Sequence, residues 1–356
     1  MRKAIRQFLR TLRGKMYEVR DASIDLISFS IFILSLWIQQ KKRIIVIRRM
    51  DALGDVVCTL PLCIELRKKH VGKALVYLTT KYCEDIILLS KSIDHVYSAR
   101  SVKFKVPFDL FGIIEKVYTP QTRDERGSTQ DHLHLVDALA ECSGVVLTER
   151  QPRLYPSTFL INKTLEKYHI EKTLTPSRFL IAINCGPTWE VREWSATKWQ
   201  MLVNRIHKAW DTHIIQFGTH VSGKLNIYDE LSGTQNLAGQ LETKELIALV
   251  SSCDLVISID SGPVHIAGAV GTPVVGLFGA INPLLRLPPG STSLGIHSEV
   301  PCLFCHHRSP IAHWKSGCPH NIRCMKELDV NRVFNVLSRQ LSSQQPKSLP
   351  QRLSSY

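Results

Sequence analysis

The chain has 356 residues, 44% of them apolar, and a formal net charge of +14. That length suits two domains and that apolar content supplies real cores, which excludes a disordered polyelectrolyte. The charge is uneven: residues 1–50 hold 12 Lys/Arg against 3 Asp/Glu, while the other 306 residues hold 33 against 28, so the basic signal belongs to the N-terminus and suits nucleic acid or an anionic membrane surface.

Residues 1–42 form a basic arm and an apolar helix. Arg2, Lys3, Arg6, Arg10, Arg13 and Lys15 precede the 13-residue apolar run Leu26–Ile38, which has Trp37 near its end; Lys41, Lys42 and Arg43 follow. A spanning helix needs about 20 apolar residues, and Asp25 blocks extension. The long basic lead and Gln39-Gln-Lys do not read as a signal peptide. The pattern predicts an interfacial helix with basic flanks on lipid phosphates; a buried helix of the first domain and a short true span are the alternatives.

Residues 43–165 read as an N-terminal Rossmann-like domain. Its first strand runs to Ile47, an apolar helix runs from Val56 to about Lys69, a second strand covers Gly72–Leu78, and a helix begins over Asp85–Leu89. Lys116–Tyr118 is strand or loop, Arg123–Gln130 is a polar loop and His132–Ser143 is helical. The linker falls within Tyr155–Pro176. Residues 176–328 read as a second Rossmann-like domain, with strands Phe179–Asn184 and His213–Phe217, a short strand Gln235–Leu237, and helices Trp199–Ala209 and Thr243–Ser251. Then come strand Asp254–Ile259, a sharp turn, helix Val264–Val270 and strand Pro273–Phe278. Residues 329–341 are a final helix and residues 342–356 a disordered tail.

The turn Asp260-Ser-Gly-Pro263 has no large side chain, so a ligand can approach its backbone closely. The helix start behind it favours phosphate, and Asp260 and His265 flank it. Two other loops sit at carboxyl ends of strands, where open α/β sheets bind ligands. One is Met50-Asp-Ala-Leu-Gly-Asp55, the other Asn184 to Ser195. Asp55 is a base or a mere helix cap, with Asp51 as a weaker rival.

Asp260-Ser-Gly-Pro-Val-His265-Ile-Ala, with Gly271-Thr-Pro-Val-Val-Gly-Leu-Phe-Gly279, resembles the nucleotide-sugar site of lipopolysaccharide heptosyltransferases. These are inverting glycosyltransferases of the two-Rossmann-domain (GT-B) type. Leu53-Gly-Asp-Val56 followed by Leu60-Pro61 matches the segment that holds the family's catalytic Asp. The resemblance covers roughly residues 43–340. It implies an α/β fold with two Rossmann-like domains facing a central cleft, a final helix that returns to the first domain, and Asp55 as general base. Thr188 and Arg192, two residues before Trp194, would contact the donor diphosphate, with Lys198 as a second cation. Ser261, Gly262, Pro263, Val264 and His265 would hold phosphate or sugar, and Asp260 the sugar hydroxyls or the turn itself. The implied donor is an ADP-linked heptose-like sugar. The implied acceptor is an anionic lipopolysaccharide-core or related lipid-linked glycan, met by Arg100, Lys103, Lys105, Arg123, Arg126, His132 and His134. One departure stands out: the loop Phe217-Gly218 to Lys224 lacks the acidic residue that relatives often carry there, which leaves the nucleotide and sugar open.

The sequence holds no Asp-x-Asp, and no cofactor is expected for catalysis. Six of the ten cysteines are scattered in apolar segments, while Cys302, Cys305, Cys318 and Cys324 form a cluster that suits structural Zn or Fe. Reduced thiols or a local disulfide are the alternatives. The chain is expected in the cytoplasm, peripheral on the inner membrane. A protein (adhesin-type) heptosyltransferase and a non-catalytic sugar-nucleotide-binding protein remain as rival readings. Nucleic-acid binding leaves both ligand loops unexplained.

Overall fold

A computed structural model describes residues 2–50, 52–106, 112–122, 133–170, 177–186, 189–218, 230–290, 292–307, 317–348 and 351, with backbone alone at 2–16, 18 and 19. The β-branched run of β1 (Ile44–Arg48) is buried on both faces, as a central strand of a parallel sheet must be. It lies between β2 (Ala74–Thr80) and β4 (Ile114–Tyr118), and β3 (His95–Ala99) completes a four-stranded sheet of order β3-β2-β1-β4, every pair parallel.

Strand alternation sorts the packing. Ile45 and Ile47, with Leu75 and Tyr77, face the core built by α2 (Leu53–Cys58), α3 (Leu60–Lys69) and α4 (Glu84–Ser90). Ile44 and Val46, with Ala74, Val76 and Leu78, face Phe29, Ile33 and Leu36 of α1 (Arg2–Gln40). The apolar N-terminal helix is thus built into the first sheet by one side. Asp25 docks it: its buried carboxylate accepts the backbone N–H groups of Arg100 (3.0 Å) and Ser101 (2.8 Å). The helix expected over Val56 to Lys69 is two helices broken at Thr59. Pro61 lies in the first turn of α3 and has no N–H for a carbonyl of the preceding turn.

The second sheet has six parallel strands in the order β10-β9-β8-β5-β6-β7. They are β5 (Phe179–Asn184), β6 (Thr212–Phe217), β7 (Gln235–Asn236), β8 (Leu255–Ile259), β9 (Val274–Leu277) and β10 (Ser293–Ile296). Ile181, Ile183 and Ile257 face α7 (Ala196–Ala209) and the C-terminal α11 (Val330–Ser342). Leu180, Ala182 and Val256 face α8 (Thr243–Ser252) and α9 (Gly262–Ala269). A short α10 (Arg323–Lys326) precedes α11.

Two features tie the halves together. The core around β1 continues without a break into residues of α8 and α9. Helix α6 (Thr158–Lys167) leaves the first half and buries Ile161 and Leu165 in that same core. Lys167 pairs with Glu245 of α8 at 2.6 Å, and the Tyr168 hydroxyl donates to the same carboxylate at 2.8 Å. The final helix does not return to the first half. Its stripe Val330, Val333, Leu337 and Leu341 is buried beside Leu202, Val203 and Ile206 of α7, which satisfies its apolar face where it starts. Part of the stretch expected to be disordered is held down: Lys347 donates its N–H to Asp254 (2.7 Å) and its ammonium to the Ser251 carbonyl (3.0 Å).

Candidate active site

A cleft of about 620 Å³ opens where the carboxyl ends of β1, β5, β6 and β8 converge. The turn from β1 into α2 forms one wall, through Ala52 to Asp55; the turn from β8 into α9 forms the facing wall, through Asp260 to Pro263 and His265. The two helix starts touch. A Cβ at Gly54 would lie 2.6 Å from Cδ2 of His265, and one at Gly262 would lie 3.0 Å from Cβ of Leu53, so each wall needs a glycine for the other to approach. The first turn is also bent out of its usual geometry, with Ala52 at φ 61 and ψ 97.

Each wall carries one ion pair between Asp and Arg. In the first, Arg49 donates to the Asp55 carboxylate; the Arg49 side chain is 7% exposed and that of Asp55 23%. Arg49 also donates to the Pro120 carbonyl at 3.2 Å. In the second, Arg192 Nε lies 3.2 Å from Asp260 Oδ2, and Arg192 Nη1 donates to the Asp260 carbonyl at 3.2 Å. Here the carboxylate is the buried member, at 6% against 20% for the cation. The guanidinium also stacks 4.3 Å from the ring centroid of Trp189 on the cleft rim.

Asn184, at the end of β5, donates to Ser258 Oγ (3.0 Å) and Ser261 Oγ (2.7 Å), which sets the second turn. Nδ1 of His265 is 3.3 Å from Cys58 Sγ, joining α9 to α2. Burial lowers the pKa of His265 to about 4 against the opposing pull of Asp260, so the ring is neutral at pH 7. Burial also raises the Cys58 thiol far above its usual range, so it stays protonated.

Several expected site residues are placed elsewhere. The Lys198 ammonium is spent on the carbonyls of Lys326 and Leu328, the latter at 2.8 Å, and serves the C-terminal end of α10 instead of the cleft. His134 uses both ring nitrogens: Nδ1 accepts the Val136 N–H at 3.2 Å as the cap of α5 (Leu135–Glu141), and Nε2 bonds the Leu287 carbonyl at 2.8 Å. It is a bolt between the halves, not an exposed acceptor contact. Val264 is buried behind the turn, and its N–H is taken by the Ser261 carbonyl at 3.1 Å. Lys105 lines a separate groove along β4. Thr188, Arg123, Arg126 and His132, like the rival base Asp51, lie outside the described residues.

Arg49, Asn184 and Arg286 are not singled out by the sequence. Arg49 was legible in principle: alternation from Ile45 and Ile47 sends position 49 toward α2, and sends Arg48 to the α1 side, where it bonds the Phe104 carbonyl at 2.8 Å. Asn184 reads from the sequence only as the start of a loop. Arg286 lines the cleft and is buried, and it follows a 3₁₀ turn with no local signal.

The cysteine cluster lies past the carboxyl end of β9, where a Cβ at Gly279 would be 2.8 Å from Cys324 Sγ. The Cys324 thiol is pushed up to about 12, first by burial and then by Cys302, Cys305 and Cys318 nearby. Among the described residues no group of three or more His, Cys, Asp or Glu is arranged to hold a metal ion. Residues 308–316, between Cys305 and Cys318, lie outside the described residues.

Cleft and sheets define a two-sheet parallel α/β protein with a cleft between two strand–turn–helix walls. Residues 135–314, half of the chain, match the sequence profile of glycosyltransferase family 9 (heptosyltransferase). The chain belongs to that family. It is 55% identical over 53 residues to the lipopolysaccharide core heptosyltransferase OpsX of Haemophilus influenzae, 15% of each chain. It is 30% identical over 117 residues to lipopolysaccharide heptosyltransferase 3 of Escherichia coli, 30% of this chain and 34% of that one. These alignments span at most about a third of the two relatives. In fold it is similar to E. coli ADP-heptose lps heptosyltransferase II (TM-score 0.63, 16% identity, 85% of this chain and 99% of that one). It is likewise similar to the iron-containing dodecameric glycosyltransferase TibC of enterotoxigenic E. coli (TM-score 0.61, 16% identity, 85% and 77%).

Proposed function

We propose that the chain transfers a heptose-like sugar, with inversion, from an ADP-linked donor to a lipopolysaccharide-core or related lipid-linked glycan. The observation that carries this reading is the reversed exposure of the two ion pairs. The first wall turns a carboxylate toward the cleft and the second turns a guanidinium toward it. A proton acceptor facing a diphosphate clamp is what glycosyl transfer requires.

Asp55 takes the proton of the acceptor hydroxyl. The oxygen attacks the anomeric carbon from the side opposite the diphosphate, and the carbon–oxygen bond to the diphosphate breaks with its electrons leaving on the phosphate oxygen. Arg192 and the N-terminal end of α9 stabilise that charge. Arg49 holds one side of the Asp55 carboxylate, which orients the other for the hydroxyl. Neutral His265 supplies a hydrogen bond without adding charge. The two relatives named above, both lipopolysaccharide heptosyltransferases, support the sugar and acceptor class.

Calorimetry of the purified protein against ADP, UDP and GDP tests the reading. Selective ADP binding that Arg192→Ala weakens supports it. Preference for UDP or GDP replaces the donor, and no binding to any of the three removes the site assignment.

A further inference from the structure

Helix α1 has two apolar sides. The docked side carries Asp25, Phe29, Ile33 and Leu36, all buried against the first sheet. Ile27, Ile31, Leu34 and Ile38 follow at i, i+4, i+7 and i+11, which places them on the opposite side of the helix. All four are exposed, Ile27 and Ile31 to 64%, and Trp37 and Leu26 flank them. The stripe is about 16 Å long at 1.5 Å per residue.

Charge surrounds this stripe on both ends. Arg2, Lys3, Arg6, Arg10, Arg13 and Lys15 belong to the same helix on its N-terminal side. Lys41 and Lys42 follow it, with the Lys41 ammonium 5.0 Å from the Trp37 ring centroid. Beyond them Arg43, Arg48, Lys105 and Lys116 line the groove along β4, with Glu115 as its acidic member.

We infer that α1 is a two-sided adaptor: one side is part of the first sheet's packing, and the other lies in the headgroup boundary of an anionic bilayer. Two other arrangements fit the observations less well. Arg20–Gln40 is long and apolar enough to cross a membrane. A crossing helix, however, would pull Phe29 and Ile33 out of the core and strip the Asp25 carboxylate of its two N–H donors. A second copy of the chain would seat the stripe but would also set two strongly basic arms side by side. Anionic lipid both buries the stripe and neutralises the arm. This inference does not depend on the donor or acceptor reading.

Flotation of the full chain with vesicles tests it. Binding is expected with phosphatidylglycerol-containing vesicles, weaker binding with pure phosphatidylcholine, and release by high salt. The double substitution Ile27→Ser/Ile31→Ser is expected to weaken binding by about tenfold to a hundredfold, while ADP affinity and far-UV circular dichroism stay unchanged. Lys41→Glu/Lys42→Glu should weaken anionic binding and leave the residual phosphatidylcholine binding alone. The inference is overturned by equal binding to both lipids, by no binding to either, or by an unaffected double variant. Resistance to alkaline carbonate extraction would show a true span. A dimer that the double variant converts to monomer, without vesicle affinity, would assign the stripe to a second copy.

Discussion

The two walls of the cleft are the same local device used with opposite polarity. Each is a strand, a turn pared down to glycine and a helix start, and each holds one Asp–Arg pair. On the β1 side the cation sits within the protein, anchored also to the Pro120 carbonyl, and the carboxylate reaches the cleft. On the β8 side the carboxylate is within and the cation reaches out across Trp189. A buried charge needs its partner wherever it lies, so either arrangement is stable. Which member reaches the cleft is what differs, and under the proposed function that choice separates a proton acceptor from an anion clamp.

The largest expected effect comes from removing the charge that the first wall presents. Asp55→Asn keeps the shape of the side chain and abolishes its basicity. It should lower kcat by about 10²- to 10⁴-fold with ADP affinity unchanged, measured by steady-state transfer beside calorimetry. An equal loss in ADP affinity would mean that the carboxylate serves binding and would break the contrast between the walls.

Acid should strike the contact between the walls next. His265 has a folded-state pKa of about 4 against an ordinary value of 6.5. The unfolded chain therefore takes up the proton first as pH falls. Stability from this group is full above about pH 6.5 and is lost progressively toward pH 4, by about 3 kcal/mol in all. Urea unfolding at stepped pH should show the decline, and His265→Gln should flatten it.

Arg192→Ala should raise the ADP dissociation constant about 10- to 100-fold, the range of a charge-assisted bond to phosphate. Arg192→Lys should recover only part of it, since the Trp189 stack and the two contacts to Asp260 need a planar fork. Full recovery by lysine would reduce the second wall to a simple point charge.

The smallest effect belongs to the bent first turn. Ala52→Gly relieves a positive φ, and the added chain entropy of glycine opposes the gain. A change in stability of about 1 kcal/mol or less is expected by thermal unfolding. A large loss would show that the Ala52 methyl group packs against something essential.

Much of this arrangement is legible in the sequence. β1, β5 and β8 read as short buried apolar runs, and Asp55 and Asp260 to His265 sit at the carboxyl ends of β1 and β8 as an open α/β sheet predicts. Arg49 lay within reach of the same alternation that placed its neighbours. Lys198 and His134 could not be sorted that way. Each is a plausible polar contact by position, and only the carbonyls of Leu328 and Leu287, far away in the chain, show that they are used in packing. The N-terminal helix was split in the same manner: its apolar run was plain, its two sides were not.

The sequence by itself determined the two strand–turn–helix walls, because glycine at a turn, proline at a helix start and a β-branched strand act over a few residues. Tertiary structure decided which charge each wall buries, that His265 meets Cys58 across 207 positions, and which side of α1 is left over. Those outcomes depend on which surfaces become dry when two sheets and a helix pack together, and desolvation is a property of the assembled neighbours.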